Sequence, residues 1–201
     1  MHSVFSSMVK PDITKLSETE RIDFVSNVFY DWGDEDQPQI VKYLVDNGYF
    51  TAPASSRFHG KYPGGLFEHS YYVGYMLRAY TEYLNLKWER PGSPWIVGLL
   101  HDLCKIDLYK EVDNGWILDG VEKDYTYERS MDTIIPGHAE KSLIYALRHI
   151  DLTDEEIACI RYHMGAYEKN DWEGFDRAIR KYPNVLYTHM ADMHASKIFG
   201  V

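Results

Sequence analysis

Apolar residues recur along this chain at helical spacing, three or four apart, over most of its length. "LSETERIDFVSNVFYDWG", from Leu16, opens with Ser17 and Glu20, the residue pair of a capping box, ahead of an apolar periodic run. "QPQIVKYLVDNGYF" predicts a second helix that stops near Asn47–Gly48. Residues 51–65, "TAPASSRFHGKYPGG", carry the punctuation of a loop. A long helix is predicted from Leu66, with Leu66, His69, Val73, Met76, Tyr80 and Leu84 along one stripe. "RPGSPW" is the next break, where Ser93 suits an N-cap and Pro94 the first helical position. The helix opened there carries "WIVGLLHDLCKID", residues 95–107.

Residues 109–130 interrupt the helical pattern. A turn at "DNG" and the run "DYTYE" predict a small β-hairpin between helices. Helical periodicity resumes after "IIPGH" with "AEKSLIYALRHI" and then "LTDEEIACIRYHM", whose Thr153 and Glu156 form a second capping box. "GAYEKNDWEG" reads as a loop, and a last helical segment runs from about Val185 to Phe199. There is no internal repeat, low-complexity tract or interdomain linker. The expectation is one compact all-α domain with a single hairpin.

Composition narrows the function classes. Hydrophobic residues make up 45% and charged ones 26% of the 201 residues, the balance of a globular protein with a sizeable core. No apolar run reaches membrane-spanning length, so no membrane is expected. The N-terminus lacks a secretory apolar stretch, and Cys104 and Cys159 are too few for a disulfide framework; both features point to the cytoplasm. A net charge of −10 disfavours an extended nucleic acid, although a small anion could still meet a local cationic site. Seventeen tyrosines and nine histidines are the oddity.

The chemistry lies in where those histidines fall. His101, Asp102 and Lys105, if helical, lie within about a 100° arc of one face, and three such groups make a poor core. His69 interrupts the apolar stripe of the preceding helix, and Asp192 does the same in the last one, in line with Val185, His189 and Ser196. His138 begins a helix after Pro136–Gly137, and His163 ends the helix that Thr153 opens. Several helices each turn one His or Asp inward, and one or two divalent metal ions would satisfy all of them. The plainer alternatives are a hydrogen-bonded His101–Asp102 pair, surface histidines at helix ends, and a Lys105 that snorkels outward. Cys104 reads as a small buried hydrophobe, His189 and His194 as packing groups or supports, and His2 and His149 as solvated. The Tyr71, Tyr72 and Tyr75 cluster reads mostly as core.

In order and spacing, His69, His101–Asp102, His138, His163 and Asp192 resemble the HD phosphohydrolase superfamily. "GGLFEHS" is similar to its first-histidine motif, "LLHDLCKI" to its HDxxK core, and "HMADMHAS" to the helix supplying its last aspartate. The "GGLFEHS" region looks closest to the HD domain of bacterial 3′–5′ exoribonucleases and to short stand-alone bacterial or phage HD proteins. The resemblance covers roughly residues 51–198. It implies an HD-domain helical bundle over 51–201, with residues 1–50 as a helical flank packed on it. That flank is a candidate cap for the site or a homodimer interface.

The two extra histidines imply the dinuclear type. His69, His101, Asp102 and Asp192 would serve one metal, His138 and His163 the other, with Asp102 bridging. Four imidazoles suit Mn, Fe, Co or Zn over Mg. The implied activity is hydrolysis of a small phosphorylated substrate, a nucleotide or another phosphate mono- or diester, by a metal-activated water. Asp102 would orient the nucleophile, and Lys105 would stabilise charge on the phosphoryl oxygens. Arg57, His59 and Lys61, in the loop before His69, are candidate substrate-binding residues or simply a solvated loop. A mixed-valent di-iron oxygenase shares the ligand set and is the alternative; a regulatory or binding module with a degenerate site is a third reading, against which the presence of all six ligands argues.

Overall fold

The structure, a computed structural model, describes residues 10–32, 37–58, 60–112, 126–130, 135, 137–167 and 171–201. Among these residues it contains eight α-helices and a two-stranded hairpin, an all-α fold with a small β element. The helices are α1 (Glu18–Trp32), α2 (Gln37–Asp46), α3 (Gly65–Leu84), α4 (Ser93–Leu100), α5 (His138–Ala146), α6 (Asp154–Arg161), α7 (Trp172–Lys181) and α8 (Asn184–His194). Strands β1 (Tyr109–Glu111) and β2 (Tyr127–Arg129) pair antiparallel, with Lys110 opposite Glu128. The "DNG" turn expected between them lies outside the described residues.

α3 is the central helix, packed along α4 and α8; α6 lies against α4 and α8, and α5 against α6. Its stripe is apolar where it faces these neighbours: Leu66, Val73 and Met76 are fully buried, whereas Leu84 at the far end is 46% exposed. Val25 and Phe29 of α1 and Ile40 and Leu44 of α2 join the same core as Leu99, Leu100 and Ile160. Tyr72 is buried and Tyr71 and Tyr75 half-buried, in line with a core role. No described helix is long and apolar enough to cross a membrane.

Both capping boxes form. Ser17 N–H donates to Glu20 Oε2 (2.8 Å) while Glu20 N–H donates back to Ser17 Oγ (3.3 Å), and Thr153 and Glu156 reciprocate in the same way. The Glu156 carboxylate also takes the Ser93 hydroxyl (2.7 Å) and the Arg90 guanidinium (Nε 2.9 Å, Nη2 2.5 Å). That explains one departure from expectation. Ser93 does not cap α4, because its hydroxyl is drawn across to Glu156, and Gly92 occupies the N-cap position instead.

Two further elements differ. α7 begins inside the segment read as a loop, capped by Asp171 Oδ1 on Gly174 N–H (2.9 Å). Phe175, Ala178 and Ile179 form its apolar stripe at the i, i+3, i+4 spacing of an amphipathic helix opposite a charged face, a signal that the loop reading passed over. The helix expected over 95–107 ends at Leu100, and Leu103–Ile106 forms a separate 3₁₀ turn.

Candidate metal centre

The position of the first two histidines follows from a glycine contact. α3 and α4 cross at Gly74 and Gly98 so closely that a Cβ on Gly98 would lie 2.3 Å from Gly74 Cα, and one on Gly74 would meet the Trp95 ring at 2.5 Å. His69, on α3, and His101, just past the end of α4, flank this crossing, and their Nε2 atoms lie 3.2 Å apart.

Each helix end then fixes a ring. His101 Nδ1 takes the Gly98 carbonyl at 2.9 Å, and His163, just beyond α6, takes the Ile160 carbonyl at 2.8 Å. In both cases the imidazole satisfies a carbonyl left open where the helix stops. His69 Nδ1 is held in the same way by the Val201 oxygen at 3.0 Å. Since a carbonyl only accepts, Nδ1 carries the proton in all three, and a neutral ring presents its Nε2 lone pair inward.

Asp102 is the hub. Its Oδ2 lies 3.3 Å from His69 Nε2 and 3.3 Å from His101 Nε2, and 2.5 Å from Lys105 Nζ. Its Oδ1 is bonded by His138 Nε2, the first residue of α5, and lies 3.5 Å from His163 Nε2. Asp192, from α8, places Oδ1 3.2 Å from His69 Nε2. Lys105 reaches Asp102 because residues three apart eclipse in a 3₁₀ turn. The shared face expected of one continuous helix is therefore supplied by a helix end and a tighter turn.

The cluster is nearly dry apart from His138, which is half-buried: His69, His101, Asp102 and His163 are at most 2% exposed, and Asp192 and Lys105 are 8% exposed. Burial opposes ionisation of every member, and their mutual attraction outweighs it for most. Against burial, Lys105, His101 and His138 hold the Asp102 carboxyl well below the usual carboxylate range, and His69 does the same for Asp192. Burial would lower His69, but Asp102 and Asp192 raise it to about 9; Asp102 and Cys104 likewise lift His138 to about 10. Burial dominates at His101, whose pKa falls. Lys105 is raised, since Asp102 overrides its burial.

A bound cation would satisfy these contacts. With both Nδ1 atoms committed, neutral His69 and His101 would point lone pair at lone pair across 3.2 Å. His163 Nε2 is buried with no hydrogen-bond partner and faces a carboxylate oxygen. Three groups of donors, His69/His101/Asp192, His101/Asp102/His163 and Asp102/Cys104/His138, each lie within 4.8 Å of one another and could hold a metal ion. No family model, curated protein or solved structure matches the chain.

The cluster-building contacts run among His69, His101, Asp102, Lys105, His138, His163 and Asp192. Arg57 is exposed and Lys61 half-buried ahead of α3, and His59 lies outside the described residues. His189 is a support: its Nδ1 meets the His163 carbonyl at 2.7 Å. His194 meets Tyr80 OH at 3.5 Å and packs on Phe199. His149 is not solvated as expected but half-buried, stacked on Tyr43 at 4.1 Å between ring centroids. Cys104 is buried, as expected of a small hydrophobe, yet its sulfur lies 3.2 Å from His138 Nδ1, a contact that sequence reasoning missed. Its place inside the "HDLCK" word was the available signal.

Proposed function

We propose that this protein is a dinuclear, metal-dependent phosphohydrolase of the HD type, acting in the cytoplasm on a nucleotide or another small phosphate ester. One observation carries the reading. The two oxygens of Asp102 face different pairs of imidazoles, Oδ2 toward His69 and His101 and Oδ1 toward His138 and His163. A bridging carboxylate between two metal positions has that geometry, and Asp192 completes the first of them.

Bound there, two transition-metal ions supply an acidified water and Lewis-acid polarisation of a phosphoryl oxygen. The chain's own residues do the rest. Asp102 and the carbonyl-anchored imidazoles fix the ligand directions before anything binds. Lys105 brings an ammonium to the edge of the centre, where it neutralises charge gathering on the phosphoryl oxygens. The burial of the cluster keeps these interactions in a low-dielectric setting, which strengthens them. The net charge of −10 favours a compact anion over a long polyanion.

The test is turnover of a panel of nucleoside mono-, di- and triphosphates, cyclic nucleotides and short oligonucleotides, run anaerobically with Mn²⁺ or Fe²⁺ beside Asp102→Ala. Hydrolysis absent from that variant supports the reading and names the substrate class. A panel left untouched, with O₂-dependent oxidation by the reduced protein, would replace hydrolase with oxygenase on the same ligand set.

A further inference from the structure

Four imidazoles converge on Asp102, and for three of them the Nδ1 atom is anchored by the main chain: Val201 for His69, Gly98 for His101, Ile160 for His163. His138 is built differently. As the first residue of α5 it has no preceding helical turn to lend it a carbonyl, and its Nδ1 meets the Cys104 sulfur at 3.2 Å. The backbone locks that contact in place. Cys104 N–H donates to Ser142 Oγ at 3.0 Å, and the Ser142 hydroxyl donates to the His138 carbonyl at 3.2 Å. Ser142 thereby clips the 3₁₀ turn to the first turn of α5 beside the thiol and the ring.

The other end of the His138 ring points into the half of the centre that holds His163. Its Nε2 bonds Asp102 Oδ1, the oxygen that buried His163 Nε2 faces at 3.5 Å without a hydrogen-bond partner. In the metal-free protein Nε2 donates to the Asp102 carboxylate; with the sulfur accepting from Nδ1–H, loss of that Nε2 proton leaves Nε2 as the lone-pair nitrogen, which is the tautomer a metal ligand needs. Sulfur is a weak acceptor, so this support is softer than the three carbonyls.

We propose that Cys104 is the positioning residue for His138, aiming its Nε2 at the Asp102 Oδ1–His163 side, so that an ion held there depends on the sulfur and an ion held by His69, His101 and Asp192 does not. The inference rests on the metal-centre reading above. It makes the two halves of the centre unequal.

The experiment titrates metal-free wild type, Cys104→Ala, Cys104→Ser and His138→Ala with Co²⁺, followed by visible and near-ultraviolet absorption and checked by equilibrium dialysis. Cys104→Ala should weaken one of two binding phases by about 10- to 100-fold and leave the other in place, the usual reach of a ligand's supporting partner. Cys104→Ser, with a hydroxyl that can still accept, should recover part of the loss. Adding Cys104→Ala to His138→Ala should cost nothing more. A second readout needs no metal: in ¹⁵N spectra of the imidazoles, His138 Nδ1 should move in Cys104→Ala while the other three rings stay put.

Uptake by Cys104→Ala that matches wild type, equal weakening of both phases, or an unmoved His138 resonance overturns the proposal alone. So does a sulfur-to-cobalt charge-transfer band that vanishes in Cys104→Ala, because the thiol would then be a ligand itself. No Co²⁺ uptake by the wild type overturns the metal reading and the proposal with it.

Discussion

His69 Nε2 and His101 Nε2 face each other across 3.2 Å, each ring held from behind by a backbone oxygen on its Nδ1. Without a metal ion one nitrogen must carry a proton, and the field selects His69, raised to about 9, while His101 is lowered. His138, raised to about 10, holds a second proton against Asp102.

Metal must displace those protons, so affinity should rise with pH between about 6.5 and 9 and binding at pH 7 should release about two protons. The sign for the metal-free fold is opposite. A histidine raised above its unfolded value adds stability that is complete below about pH 6.5 and is lost as pH climbs through 9 and 10. The depressed Asp102 and Asp192 belong to the same ion pairs and add stability that is lost as pH falls below the ordinary carboxylate range. Melting of the chelated protein should peak near neutrality and decline toward pH 10. Calorimetric titration in buffers of different ionisation heat counts the protons; metal affinity flat from pH 6.5 to 9 would contradict the assignment.

The Gly74–Gly98 crossing makes a separate prediction. Gly98→Ala puts a methyl 2.3 Å from the Gly74 backbone, with no flexible side chain to yield, so α3 and α4 must separate. Overpacking of this kind costs about 1–3 kcal/mol. Because His69 rides on α3 and His101 directly follows α4, the loss should appear in metal uptake as well as in the melt. Dialysis against Co²⁺ should show a weakened His69/His101 half; a variant that melts lower yet loads normally would show that the crossing sets stability alone.

Much of this was legible in the sequence because helical periodicity and capping are local. The Ser17/Glu20 and Thr153/Glu156 boxes form as read, and the inward His and Asp stand out as polar breaks in apolar stripes. What was not legible is long-range or geometric. Nothing near Glu156 announces Arg90 or Ser93, which lie far from it in the chain and draw Ser93 away from its cap. Periodicity also carries no signal that α4 stops at Leu100, since that depends on the His101 ring taking the Gly98 carbonyl and the Cys104 amide finding Ser142.

Glu156 separates scaffold from site. It is fully buried and takes the Arg90 guanidinium, the Ser93 hydroxyl and the Thr153 amide, binding α6 to the start of α4. Glu156→Gln removes the carboxylate charge that faces the Arg90 guanidinium, whose side chain is 16% exposed, and breaking a buried pair in this way costs about 3–5 kcal/mol. The melting temperature should fall steeply while the metal content of the folded protein at low temperature stays near wild type. An unchanged melt would show that the pair contributes nothing net.

Lys105 tells binding apart from chemistry. Its ammonium sits 2.5 Å from Asp102 Oδ2, the oxygen that also faces His69 and His101, so it competes with a cation for that atom. Lys105→Met keeps the length and flexibility of the side chain and removes the charge. Metal affinity should hold or rise. Turnover should drop by about 10²- to 10³-fold, the usual loss on removing one donor from developing oxyanion charge. Asp102→Ala should behave in the opposite order, losing metal first and activity as a consequence. If Lys105→Met loses metal as Asp102→Ala does, the lysine is part of the scaffold; if it loads metal and turns over normally, the ammonium does not meet the phosphoryl group and the charge must be stabilised from elsewhere. Measuring metal content and kcat on the same preparation of each variant decides between these outcomes.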